Sequence, residues 1–189
     1  MGRLTLFFLL FIAANTLCQS GVLCDMPLKL ERTLAIIKPD GVTHSDVIQI
    51  LIRDAGFHVL AMKIIQLDMR QALHLYEKHL DRKFFRKLIE FMMSGPVVIM
   101  VLEKPHAIDH WLDFIGPADA SRVEPSTIRA FCGTDAIRNC VHGSESPEFA
   151  AREIEFFFGK EYVISKSEDN QYAATASSGW GSDSDHFEL

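Results

Sequence analysis

The sequence predicts an α/β sandwich, one sheet covered by helices, and three observations carry that prediction. Residues 97–102 are six apolar residues in a row, Val-Val-Ile-Met-Val-Leu, the composition a strand needs when both of its faces are covered. Val47, Ile48, Leu51, Ile52 and Ala55 recur at the spacing that gathers apolar side chains on one side of a helix, and Gly56 then stops them. Short apolar runs and helical segments of this kind alternate along most of the chain.

In chain order, residues 33–38 read as a buried strand stopped by Pro39-Asp40-Gly41. The Val47–Ala55 pattern gives the first helix. Residues 57–67 give a second strand. Asp68 stands where a helix cap is needed, ahead of Ala72, Leu75, Tyr76 and His79, and a second helical segment covers residues 84–93. Ser94-Gly95-Pro96 turns the chain into the run at 97–102. Residues 105–114 read as helix, 116–125 as a long loop, and 147–158 as a last helix beyond a loop that holds His142. There is no internal repeat.

Of 189 residues, 48% are hydrophobic, enough for one core of roughly 130–140 residues with extra sequence at both ends. The formal net charge of −6, with no Lys/Arg run, argues against a nucleic-acid partner and confines any phosphate affinity to a pocket.

The ends read as an address. Arg3, an apolar run over residues 4–14 and small or polar residues up to Ser20 have the layout of a secretory signal peptide, residues 1–20, cleaved after Cys18 or Ser20. The run is shorter than the ~20 apolar residues that cross a bilayer, and Asn15 ends it, so no stable membrane anchor is expected. Leu6 stands where a myristoylation signal needs a hydroxyl. Residues 21–29 are a linker. Residues 165–189 are polar and rich in Ser, Asp and Gly, the composition of a disordered tail. The tail ends in His186-Phe187-Glu188-Leu189, which resembles the His-Asp-Glu-Leu retrieval signal of the endoplasmic reticulum with Phe187 in place of the acid. Together the ends predict the secretory pathway and the endoplasmic reticulum lumen. Initiation at Met26 would instead give a cytosolic chain.

The chemistry centres on Arg138-Asn139-Cys140-Val141-His142-Gly143-Ser144-Glu145-Ser146. A neutral imidazole can attack a γ-phosphorus near neutral pH, and the N–P bond formed stays labile enough to pass the group on. Gly143 is expected to give access, and Ser144 and Ser146 to supply hydrogen bonds. There is no Walker A sequence, and Gly179-Trp180-Gly181 lies in the polar tail, so side chains must hold phosphate. Lys38, leaving the first strand just before a turn, is placed for that. His106 and His110 lack a third ligand and read as a solvated face rather than a zinc site. Cys132 and Cys140 read by default as buried thiols, and whether they pair is left open.

The stretch Glu31-Arg32-Thr33-Leu34-Ala35-Ile36-Ile37-Lys38-Pro39-Asp40-Gly41-Val42, taken with Asn139-Cys140-Val141-His142-Gly143-Ser144, resembles the nucleoside diphosphate kinases over residues of about 30 to 163. The resemblance implies a domain over residues 30–164 with a ferredoxin-like βαββαβ core and an antiparallel sheet. It implies reversible transfer of the γ-phosphoryl group from an NTP to an NDP through a phosphohistidine at His142, with Mg²⁺ bound through the nucleotide's phosphates. By the same resemblance Lys38 contacts the γ-phosphate, Arg129 binds phosphate, Asn139 the sugar, and Phe84 and Leu88 clamp the base. Tyr76 bonds to the lysine, and Glu153 orients the imidazole directly or through Ser144. A homo-oligomer built from dimers is implied as well.

Two departures stand out. Counting back from Gly116-Pro117-Ala118-Asp119, the family's second phosphate arginine falls on Asp109 and its phosphate-binding threonine on Ile115, with Arg122 offering a substitute charge. Trp111 with Gly116-Pro117 resembles the divergent branch that includes ciliary members, some of them poor kinases. The alternative reading is therefore a catalytically weak nucleotide-binding or scaffolding module of the same fold.

Overall fold

The computed structural model describes residues 29–118 and 124–163. Four strands, β1 (Leu30–Ile37), β2 (His58–Gln66), β3 (Pro96–Pro105) and β4 (Val141–Gly143), form one antiparallel sheet in the order β2-β3-β1-β4. The helices are α1 (Ser45–Asp54), α2 (Met69–Tyr76), α3 (Phe85–Met92), α4 (Ala107–Ile115), α5 (Ile128–Cys132) and α6 (Pro147–Phe158). This is the βαββαβ arrangement the resemblance implies, with the pair α2–α3 inserted between β2 and β3. The signal-peptide reading of residues 1–20, nearly all of the linker, Arg122 and the tail at 165–189 lie outside the described residues. Among the described residues no helix is long and apolar enough to cross a membrane.

The alternation of side chains along β1 and β3 produces two cores, one on each face of the sheet. Leu34 and Ile36 of β1, with Val97, Ile99 and Val101 of β3, face the layer of α2, α3 and α6, where Leu75, Ile89, Met92 and Ile154 meet them. Ala35 and Ile37, with Val98, Met100 and Leu102, face α1 and α4, where Ile48, Ile52, Trp111 and Ile115 meet them. The unbroken apolar run at 97–102 therefore has the cause read from the sequence. Both of its faces are buried.

The helix ends follow local chemistry. Asp68 caps α2 in a capping box: its side chain accepts from the Gln71 N–H while the Gln71 side chain accepts from the Asp68 N–H. Gly116 ends α4 at φ +81°, and a Cβ there would lie 2.7 Å from the Thr127 side chain. Ser146, expected to serve the site, instead caps α6: its Oγ accepts from the Phe149 N–H at 3.3 Å, with Pro147 at the first helical position.

Two elements went unforeseen, α5 and β4. Three residues are too few for β4 to show a period, so the sequence places His142 in a loop where the structure has a strand. Cys132 at the end of α5 and Cys140 just ahead of β4 form a disulfide with a Cα–Cα distance of 6.0 Å, which closes the question of their pairing.

Candidate active site

The register of β4 decides what its residues face. Val141 lies opposite Ile37, His142 opposite Ile36 and Gly143 opposite Ala35. His142 thus shares the face of Ile36, toward α2 and α6, while its two neighbours face α1 and α4. Behind the strand, the Trp111 indole donates to the His142 carbonyl at 3.1 Å. A Cβ on Gly143 would meet Trp111 Cδ1 at 2.5 Å. Gly143 is therefore required by the indole packed against it, a correction to the expectation that it gives access to the imidazole.

On the other face the imidazole is bracketed by two helices. Its Nε2 stands 3.4 Å from Glu153 Oε2 on α6, and the Tyr76 ring on α2 meets it edge-on with centroids 5.7 Å apart. The Ser144 Oγ donates to the same Glu153 oxygen at 2.6 Å and accepts from the Leu34 N–H at 3.2 Å. Burial alone would raise the Glu153 carboxyl. The His142 imidazole, the Ser144 hydroxyl and the Lys78 charge outweigh it and hold the group below its ordinary value. A carboxylate only accepts, so it assigns the proton to Nε2 and leaves the lone pair on Nδ1.

Across the site, the Lys38 ammonium donates to Asn139 Oδ1 at 2.6 Å and to the Ile137 carbonyl at 3.3 Å. Its pKa is pushed down to about 7, first by burial and then by the neighbouring Arg129 charge. Arg129 on α5 donates to the carbonyls of Gly116 and Val141, the latter at 3.1 Å, while its Nε is buried without a partner among the described residues. Burial pushes this guanidinium down to about 10. Tyr76 departs from expectation. Two carbonyl groups already hold the lysine, and the phenol donates instead to Met92 Sδ at 3.6 Å. Burial, with Glu153 nearby, pushes that phenol up.

A cavity of about 590 Å³ brings together Lys38, Tyr76, Phe84, Leu88, Arg129, Asn139 and His142. Seven residues read from sequence therefore line one space, and Glu153 and Ser144 stand behind His142. Phe84 is 42% exposed at the rim and Leu88 is buried. The same cavity is lined by Lys78, His79, Arg82, Ala118 and Glu145, which sequence reasoning missed. Arg82 carried a signal: it is a cation two residues ahead of Phe84.

The structure also relocates the departures. α4 buries Ile108, Trp111 and Ile115 against the sheet, which turns Asp109 to solvent and leaves Ile115 in the core. The residues of this segment that border the site are Leu112, Asp113 and Gly116 to Ala118, on a second cavity shared with His142 and Arg129. This wall is apolar at Leu112 and Ala118, and its carboxylate is Asp113, not the expected Asp109.

The family model for nucleoside diphosphate kinase matches residues 31–163. The chain belongs to the nucleoside diphosphate kinase family. Among relatives of this family, it is 46% identical over 128 residues to "Probable nucleoside diphosphate kinase 5" of Arabidopsis thaliana, covering 65% of this chain and 89% of that one. The nucleoside diphosphate kinase of Aquifex aeolicus is similar in structure, with a TM-score of 0.65 at 42% identity over 72% of this chain and 100% of that chain. A halophilic nucleoside diphosphate kinase from Halobacterium salinarum, solved in complex with CDP, has a TM-score of 0.66 at 33% identity over 72% of this chain and 93% of that chain.

Proposed function

We propose that this nucleoside diphosphate kinase carries the phosphoryl group on Nδ1 of His142. The observation that carries the reading is the buried chain Leu34 N–H, Ser144, Glu153, His142, which fixes the imidazole tautomer at the wall of a cavity lined by Lys38, Arg82 and Arg129. The Nδ1 lone pair attacks the γ-phosphorus of a nucleoside triphosphate. The N–P bond forms as the P–O bond to the β-phosphate breaks, and the diphosphate leaves with that electron pair. A second diphosphate reverses the step: its terminal β-oxygen attacks phosphorus and the N–P electrons return to Nδ1. Glu153 stabilises the imidazolium character that develops, and the three cations stabilise the equatorial oxygens. Phe84 and Leu88 offer a stacking surface with little hydrogen-bond pattern, which suits acceptance of any base. Among the described residues no group of three His, Cys, Asp or Glu converges to hold a metal. Mg²⁺ would be carried by the nucleotide's phosphate oxygens and would neutralise their charge. Incubation with γ-labelled ATP should leave acid-labile, base-stable label on the peptide holding His142. Acid-stable label, or label on another peptide, would reject the assignment.

Leu112, Asp113 and Ala118 favour a second reading, a module of this family, akin to its divergent branch, that binds nucleotide firmly and turns over slowly. If the apolar wall limits the rate, Leu112→Arg with Ala118→Thr should raise turnover by about tenfold, the scale of one added phosphate contact. Asp109→Arg, on the solvent side of α4, should change nothing. A steady-state assay with ATP and a second diphosphate separates these outcomes, and an unchanged rate in the double variant would remove the apolar wall as the cause.

A dimer is proposed through the β2 edge. Met62 and Ile64 lie on the α1 side of the sheet, opposite Met100 and Val98, and they are exposed together with Val47 and Ile50 of α1. A second copy would cover this apolar edge. Ile64→Asp should convert dimer to monomer in sedimentation velocity, and an unaltered dimer would place the interface elsewhere.

The lumenal address stays a proposal resting on residues 1–20 and 186–189. The Cys132–Cys140 bridge supports an oxidising compartment. Retention of a tagged chain should need both ends, and equal retention of a chain stopping at Asp185 would dismiss the retrieval reading.

A further inference from the structure

Lys78 has no part in the reading above, yet it lines the same cavity as His142. It sits in the turn Glu77–His79 that follows α2, and its Nζ pairs with Glu145 Oε2 at 2.6 Å. The two partners differ in freedom. The Lys78 side chain is only 21% exposed and its ammonium rests 4.9 Å from the centroid of the Phe149 ring, whereas the Glu145 side chain is 58% exposed. A lysine held by its stem and an aromatic face keeps its position when its partner leaves, and an exposed carboxylate leaves at little cost.

The pair is at the phosphoryl end of the cavity. Glu145 lies three residues beyond His142, and the Lys78 charge reaches Glu153, the imidazole's own partner. An incoming triphosphate repels Glu145 and attracts Lys78, and among the described residues the wall running from Leu112 through Asp113 to Ala118 brings no cation of its own.

We propose that Lys78 contacts the transferring phosphoryl group and that Glu145 holds it in reserve, exchanging its place on the ammonium for phosphate oxygens when nucleotide binds. This rests on His142 being the phosphoryl acceptor. Lys78 then supplies, from the α2 side, a positive charge that the described residues of the α4 side lack. Glu145 competes with phosphate for that charge, so the two partners of one ion pair have opposite effects on the reaction. A tie that merely fastened α2 to α6 would make their removal equivalent.

Single-turnover transfer from γ-labelled ATP to His142 tests this. Lys78→Met, which keeps the stem over Phe149, should slow transfer by about tenfold to a hundredfold, and Lys78→Arg should recover most of it. Glu145→Gln should speed transfer severalfold, and the double variant should behave like Lys78→Met alone. ADP affinity, which involves no γ-phosphoryl group, should change by less than about threefold in every variant, within the range of an exposed ion pair. Equal slowing in Lys78→Met and Glu145→Gln, or transfer in Lys78→Met at the wild-type rate, would overturn the proposal. Absence of label on wild-type His142 would instead overturn the function on which it rests.

Discussion

His142→Ala is expected to lower phosphoryl transfer by at least about 10⁴-fold, the scale seen when a covalent nucleophile is removed, while nucleotide still binds. The reason is that neither hydroxyl packed beside the imidazole can replace Nδ1. The Tyr76 phenol is pushed up by burial and turned toward Met92, and Ser144 is held between Glu153 and the Leu34 N–H. Glu153→Gln should cost less, roughly 10–100-fold, because an amide of the same shape still accepts from Nε2 but no longer balances a positive imidazole. The loss should fall in kcat rather than in KM, since the carboxylate does not touch substrate. Transfer by His142→Ala within tenfold of wild type would mean that phosphate passes directly between nucleotides or through another residue.

The residues that could be read from sequence are those whose surroundings repeat or whose chemistry is local. The run at 97–102 had to be a doubly covered strand, and Asp68 had to cap a helix, because both follow from neighbours within a few positions. His142, Lys38 and Asn139 were found through short stretches that keep family spacing. Tyr76 lines the cavity with a partner other than the one the resemblance implies, since a phenol's choice between Lys38 and Met92 depends on side chains supplied by three separate elements. The segment from Asp109 to Ala118 was misread for a related reason. Counting residues cannot show which side of α4 meets the sheet, and it is the burial of Ile108, Trp111 and Ile115 that turns Leu112 toward the site. Lys78 and Glu145, sixty-seven positions apart, meet only because α2 and α6 lie on the same face of the sheet. The role of Gly143 needed Trp111 behind it.

Lys38 gives the site a pH dependence whose sign can be worked out. In the empty site its pKa is about 7, against an ordinary value of 10.5, because burial penalises the ammonium and Arg129 adds to the penalty. A bound phosphate reverses this by placing anionic oxygens beside the ammonium, so binding raises the pKa. Below pH 7 the lysine is protonated with or without nucleotide, and it contributes no slope. Above pH 7 the empty site holds a neutral amine, and binding must take up a proton from solvent. Nucleotide affinity should therefore fall as pH rises from about 7, by up to tenfold per pH unit, until the pKa of the bound state is reached. Calorimetric titration with ADP in buffers of differing ionisation enthalpy should show uptake of about half a proton at pH 7 and nearly one at pH 8. Lys38→Met should abolish that uptake, flatten the affinity profile, and lower turnover by on the order of 10²–10³-fold through loss of a buried cation at the transferring group. Its packing should survive, since the unbranched stem is retained, and the freed Asn139 Oδ1 opens onto the cavity. If wild-type affinity is flat between pH 6 and 9, the ammonium is not the group that meets phosphate, and Arg82 and Arg129 carry the charge without it.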